Sequence, residues 1–248
     1  MKDGRFAIGI IMSALVALVF PLFGGAEGAQ PSVFLHETFR DLNAWKPLYF
    51  PKIKEHSTYT AVAEEGRTWL KTESRASASA IVLKKTFNVY NYPALHWRWK
   101  VDNLYRNWDE KEKAGDDYPI RIYVLFEYDP DKAGFLEKLQ YGALKAIYGS
   151  YPPHSSLNYV WTSGEKADDL FASPFTDRAR MVALEKGAAR LGQWVEERAN
   201  IIDDYRRAFG EDPPATAGIA IMNDSDNTGE AAVSYVEFIE ISAGSPAP

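Results

Sequence analysis

Leu95-His96-Trp97-Arg98-Trp99-Lys100-Val101 alternates without a break. Leu95, Trp97, Trp99 and Val101 share one side and His96, Arg98 and Lys100 the other, the period-two signature of a strand with one buried face and one wet face. Ile120–Tyr128 repeats the pattern, with Ile120, Ile122, Val124, Phe126 and Tyr128 opposite Arg121, Tyr123, Leu125 and Glu127. Asn158–Trp161, Arg180–Leu184, Gly218–Met222 and Val233–Ile241 read as further strands. Val33–Phe39, Thr58–Ala63, Thr68–Lys71 and Ala80–Phe87 are less regular ones. Short strands parted by Gly, Pro, Asp and Ser clusters predict a mostly-β fold, an antiparallel jelly-roll-like sandwich rather than βαβ units.

Two stretches carry the helical period instead. In Ala133–Tyr148, Leu136, Leu139, Gln140, Ala143 and Ile147 fall at three- and four-residue spacings ahead of Gly149. Glu196–Phe209 gathers Ile201, Ile202, Tyr205 and Phe209 on one side, and Gly210 and Pro213-Pro214 close it. Both are expected as helical insertions in one domain.

The first 28 residues read as an export signal. Lys2 and Arg5 precede an apolar run from Phe6 to Phe23, and small residues follow to Ala29. Pro21 and Gly24-Gly25 fall where a spanning helix would have to continue, and no second apolar run is long enough to cross a bilayer. Residues 29–248 are then one domain, periplasmic or secreted. The net charge of −6 argues against duplex nucleic acid and anionic lipid as partners. The absence of Cys removes disulfides, thiolate metal sites and a thiol nucleophile. The four His residues are scattered, and no Gly-x-Ser-x-Gly elbow or phosphate-binding glycine loop is present.

The blocks His96–Val101, Gly115–Val124, Leu157–Trp161 and Ile219–Glu230 together resemble an exported bacterial family catalogued as domain of unknown function 3047, over about Phe34 to Ile241. That resemblance implies export and a single domain and supplies no activity. The pattern Tyr235-x-Glu237-Phe238-Ile239-x-Ile241 is similar to the closing strand of carbohydrate-binding jelly rolls.

If the alternation holds, Arg98, Lys100, Arg121, Tyr123, Glu127, Asn158, Asn223, Tyr235 and Glu237 share one side of a sheet, with Trp161 as a further aromatic. Planar polar groups beside aromatic rings form a sugar-binding surface; the alternative is a solvated face of cross-strand ion pairs. Asp224-Ser225-Asp226-Asn227-Thr228-Gly229-Glu230 packs oxygen donors around a turn. Its start matches an EF-hand loop, but Tyr235 stands at the twelfth position where a bidentate Glu belongs. Two readings stay open there: a calcium site using Asp224, Asp226, Asn227 and Glu230, or an inter-strand turn whose side chains bond their own backbone. The leading expectation is non-catalytic binding of a polysaccharide or glycoconjugate. The rivals are a glycoside hydrolase or lyase with a carboxylate pair such as Asp117 and Glu127, and an envelope protein-interaction module docking through the two helices.

Overall fold

The computed structural model describes residues 32–131, 133–135, 138–139, 141–142 and 151–244. The predicted signal segment 1–28 and most of the predicted helix Ala133–Tyr148 lie outside them. In chain order the strands are β1 (Val33–Glu37), β2 (Trp45–Leu48), β3 (Thr58–Glu64), β4 (Arg67–Arg75), β5 (Ala78–Leu83), β6 (Phe87–Asn88) and β7 (Ala94–Val101). There follow β8 (Ile120–Phe126), β9 (Ser155–Thr162), β10 (Leu170–Ser173), β11 (Thr176–Lys186), β12 (Val195–Asn200), the helix α1 (Ile201–Phe209), β13 (Thr216–Asp224) and β14 (Ala231–Ser242).

They form two stacked sheets. The smaller runs β12-β7-β14-β4-β3, with β1 sharing the long β14 beside β4. The larger runs β10-β11-β9-β8-β13-β5-β2, with β6 also on β13. The alternation in β7 and β8 is what joins them: Leu95, Trp97, Trp99 and Val101 face Ile120, Ile122, Val124 and Phe126 across a dry core. Rings bridge the gap, with Trp97 5.2 Å from Tyr159 and Trp99 6.1 Å from Trp161. Trp161 is thus a core residue rather than a ligand platform, and its indole N–H donates to Gly187 O at 3.1 Å.

The sandwich departs from the predicted one in two ways. β9 and β11 run parallel, because the chain crosses to the edge strand β10 and returns by a hairpin into the place between them. The predicted helix Glu196–Phe209 begins five residues late. Val195, Glu197 and Ala199 alternate, and β12 pairs with β7 from Val195↔Trp99 to Asn200↔Ala94. Asn200 then caps the helix, its side chain accepting from the amides of Ile202 and Asp203 at 3.1 and 3.3 Å. Gly210, at φ 74°, ends it in the left-handed conformation that glycine adopts without a Cβ clash. α1 is the one complete helix among the described residues, so only one of the two predicted insertions is seen. It buries Ile201 and Tyr205, and no described helix is long and apolar enough to cross a membrane.

Candidate functional site

The residues expected to share one surface are divided between two. Arg98 and Lys100 on β7, with Tyr235 and Glu237 on β14, lie on the outer face of the smaller sheet, as their pairing with one another and their partial exposure require. Arg121 and Tyr123 on β8 and Asn158 on β9 lie on the outer face of the larger sheet. Asn223 points inward and bonds Thr72 Oγ1 through its side-chain nitrogen at 3.0 Å. Glu127, exposed just beyond β8, lines a separate hollow with Asp129 and Pro213. One alternating strand looks the same whichever sheet holds it, so the residues gave no sign of this division.

The outer face of the larger sheet carries a cleft of about 490 Å³. Strand register builds its floor. One row runs Ala80, Met222, Arg121 and the next Tyr123, Asn158, Met181, each residue directly opposite its neighbour. The connection between β2 and β3 supplies one wall, where Phe50 and Ile53 pack on Ala78, Ala80 and Met222. The β10–β11 turn supplies the opposite rim, where Phe175 is 54% exposed. Asp116, Asp224, Asp226 and Asn227 close one end. Nothing in the sequence marked Phe50, Ile53 or Phe175, since all three sit on irregular connections; the acidic end was legible in the Asp224–Glu230 run, which supplies Asp224, Asp226 and Asn227.

Arg121 organises that end. Buried on the sheet face, it donates through Nε to Asp224 Oδ1 at 2.9 Å, through Nη2 to Asp224 Oδ2, and through Nη2 to the Asp116 carbonyl at 2.7 Å. Tyr118 N adds a bond to Asp224 Oδ1 at 3.3 Å. Burial pushes the Asp224 carboxyl up to about 7 even with the guanidinium beside it. Burial likewise raises Asp116 and Asp226, with Asp117 adding repulsion at both. Ser173 Oγ donates to Asp116 Oδ2 at 3.5 Å and the Tyr118 hydroxyl serves the same carboxyl, whereas Asn158 Oδ1, across the floor, has no hydrogen-bond partner among the described residues.

The acidic loop behaves as a turn first. Asp117 gathers it, accepting from Asn227 Nδ2 at 3.0 Å and from the amides of Asn227 and Thr228 at 3.4 and 2.6 Å. Gly229 N–H closes it on Ser225 O at 2.9 Å. Glu230 departs from the expected ligand set: its Oε1 accepts from the amides of Arg106 and Asn107 at 2.9 Å each, which ties it to the segment after β7. Oxygens of Asp117, Asp224 and Asp226 do lie within 4.8 Å of one another. Loop donors already hold both Asp117 oxygens, however, and Arg121 holds both of Asp224, so this trio fits a hard cation poorly. The carboxylate pair Asp117 and Glu127 is separated by the length of β8. Its seven residues alone span roughly 20 Å at ~3.3 Å per residue, well beyond the separations that act on one glycosidic bond.

Fold and site together define a two-sheet β-sandwich with a walled cleft, acidic at one end, on the outside of its larger sheet. The chain belongs to the family described as protein of unknown function, DUF3047, whose model matches residues 43–240. No curated protein matches it. Among solved structures it is similar to a family 11 carbohydrate-binding module of a cellulosomal cellulase of Clostridium thermocellum, at TM-score 0.43 and 8% identity over 88% of this chain and 97% of that one. It is also similar to the CBM22-1 xylan-binding domain of a Paenibacillus barcinonensis protein, at TM-score 0.36 and 11% identity over 88% and 97%. A third is the family GH12 endoglucanase 3 of Trichoderma harzianum, at TM-score 0.39 and 9% identity over 87% and 98%. At these scores no residue of theirs transfers to this chain.

Proposed function

We propose that the cleft on the larger sheet binds a carbohydrate, a segment of polysaccharide or glycoconjugate, without cleaving it. The observation that carries this reading is the pairing of two kinds of wall in one hollow. Phe50, Ile53, Met222 and the exposed Phe175 offer apolar surface to the C–H face of a sugar ring, while Asp116, Arg121 and Asn158 offer fixed polar groups to its hydroxyls. The charged, apolar and small-residue pattern of residues 1–28 supports a periplasmic or secreted setting for this activity. The engagement of Asp224 supports binding over hydrolysis. Asp224 is raised enough for a general acid, but both its oxygens accept from Arg121, so its proton has no open path to a leaving group.

Affinity electrophoresis of the purified protein through a panel of polysaccharides tests this, with new chain ends assayed in the same samples. Retardation by at least one glycan with no new ends is the expected result. No retardation on any gel overturns the glycan reading. New reducing or unsaturated ends that vanish in Asp224→Asn would make the protein an enzyme.

A further inference from the structure

The outward residues of β8 do not all belong to the cleft. Arg121 and Tyr123 line it, while Leu125 lines a second hollow of about 340 Å³. Strand register carries the floor from one to the other. Beyond the row Tyr123, Asn158, Met181 comes a third, Leu125, Ser156, Ala179, each residue again directly opposite its neighbour. Ala179 lines both hollows. The β10–β11 hairpin walls both as well, with Ser173 and Phe175 on the cleft and Thr176 and Arg178 on the second hollow. From Arg121 to Leu125 the face runs about 13 Å, at ~3.3 Å per residue. The two hollows are successive stretches of one groove along β8.

The stretches differ in what they leave free. On the cleft floor the side-chain donors are committed. Arg121 holds Asp224 and the Asp116 carbonyl, the Tyr123 hydroxyl donates to Met222 Sδ at 3.3 Å, and the Asn158 amide nitrogen to Met181 Sδ at 3.3 Å. The second hollow has donors to spare. Arg178 is exposed, its one side-chain bond goes to His154 Nε2 at 2.9 Å, and it pairs with no carboxylate among the described residues. The Ser156 hydroxyl on the floor bonds no described residue. We infer that the second hollow is a further subsite of the same groove, and that the glycan bound here is a chain of several units lying lengthwise along β8, with one end over Ser156 and Arg178. This deepens the carbohydrate reading above and rests on it. Sugar hydroxyls accept as well as donate. A chain that reaches the second hollow gains a guanidinium and a hydroxyl as partners, and a guanidinium makes the stronger, charge-assisted bond. A single terminal sugar would fill the cleft and leave both unused.

Fragments of two, four and six sugar units, cut from the polysaccharide that most retards the protein, measure the length of the site. Calorimetric titration of the full-length protein is expected to give the six-unit fragment an affinity at least about tenfold above the two-unit one, the size of one hydrogen bond to a charged donor. Arg178→Ala is expected to remove that gain, lowering six-unit affinity about tenfold while two-unit affinity changes less than about twofold. The wild-type series stands even if that variant folds poorly. A smaller gain with length in the wild type overturns the extended chain and leaves the carbohydrate reading standing. Equal weakening of short and long fragments in Arg178→Ala is what a merely structural role would give, and it overturns the subsite. A panel in which no polysaccharide retards the protein overturns both readings.

Discussion

The two outer faces of this sandwich carry similar residues and use them in opposite ways. On the smaller sheet the charges at the centre of the outer face have partners in their own plane. Glu237 accepts from Arg98 at 2.7 Å and from Arg67. Lys100 lies 4.1 Å from the centre of the Tyr235 ring, and the Tyr235 hydroxyl donates to Asp102 at 2.9 Å. Glu196 there is helped to ionise: hydrogen bonds from His96 and then Arg198 hold it below its usual range. On the larger sheet the charges are buried, the carboxyl groups are pushed up, and Asn158 Oδ1 on the cleft floor has no hydrogen-bond partner among the described residues. The smaller sheet's charges are paired in contact with water, and those of the larger sheet are paired out of it, beside a cleft.

The largest separation is expected from removing one arginine on each face. Arg121→Ala strands Asp224 and Asp116 in a buried site, and breaking such a pair costs about 3–5 kcal/mol. Arg98→Ala breaks a pair that water and Arg67 still reach, and is expected to cost at most about 1 kcal/mol. Urea unfolding of the two variants checks both values. Equal losses would mean that Arg121 is more solvated than its geometry indicates.

The pH dependence of stability should differ in sign between the faces. Asp224 titrates near 7 when folded, against 3.8 for a free aspartate, so the folded chain binds the extra proton. Its contribution is present at low pH and is lost as pH rises from about 4 through about 7. Asp116 adds to the same trend. Glu196 is lowered on folding, so its contribution is present above the ordinary glutamate range and is lost as pH falls below it. Urea midpoints measured across pH should show a falling limb that is reduced in Asp224→Asn and an acid limb that is reduced in Glu196→Gln. An unchanged falling limb in Asp224→Asn would assign it to other groups, Glu197 first among them. Burial and Glu185 raise that carboxyl to about 7 as well.

Strand existence was legible wherever one face is buried, because burial writes period two directly into the residues: β7, β8, β13 and β14 were all found within a few positions. The edge strands β2, β6, β10 and β12 were not, since they alternate over too few residues or, in β12, run straight into a capped helix. The polar residues of the site were partly legible: Arg121, Tyr123 and Asn158 belong to the cleft. Their mixture with Arg98, Lys100, Tyr235 and Glu237 has a physical cause. Sidedness within a strand is local, whereas membership of one sheet or the other depends on pairing with residues far along the chain. The cleft walls escaped for a related reason. Phe50, Ile53 and Phe175 act through loop placement, which no periodicity encodes.

In binding, the faces should separate by a smaller margin. Asn158→Ala removes one acceptor from the cleft floor, and its glycan affinity is expected to fall about tenfold, the size of one lost hydrogen bond to a charged or strongly polar donor. Tyr235→Ala, on the far side of the core, is expected to leave affinity within about twofold. A reversal of those two results would move the ligand to the smaller sheet and turn its paired charges into the binding surface.

The smallest effect is the most diagnostic of self-satisfaction. Lys100 is in van der Waals reach of the Tyr235 ring and 5.7 Å from the centre of Trp194, and its Nζ lies 3.5 Å from Asp102. If those contacts are its whole role, Lys100→Ala costs about 0.5–1 kcal/mol of stability, the range of a cation over an aromatic ring at an exposed site. Lys100→Met keeps the stem over the ring and should recover the packing part of that loss, leaving the part due to charge. High salt should weaken the wild type toward the methionine variant, since the ion pair with Asp102 is open to water. The same salt should leave the Arg121 cluster unmoved, because buried charges are screened far less, and that difference separates an exposed, self-paired surface from a buried ion cluster.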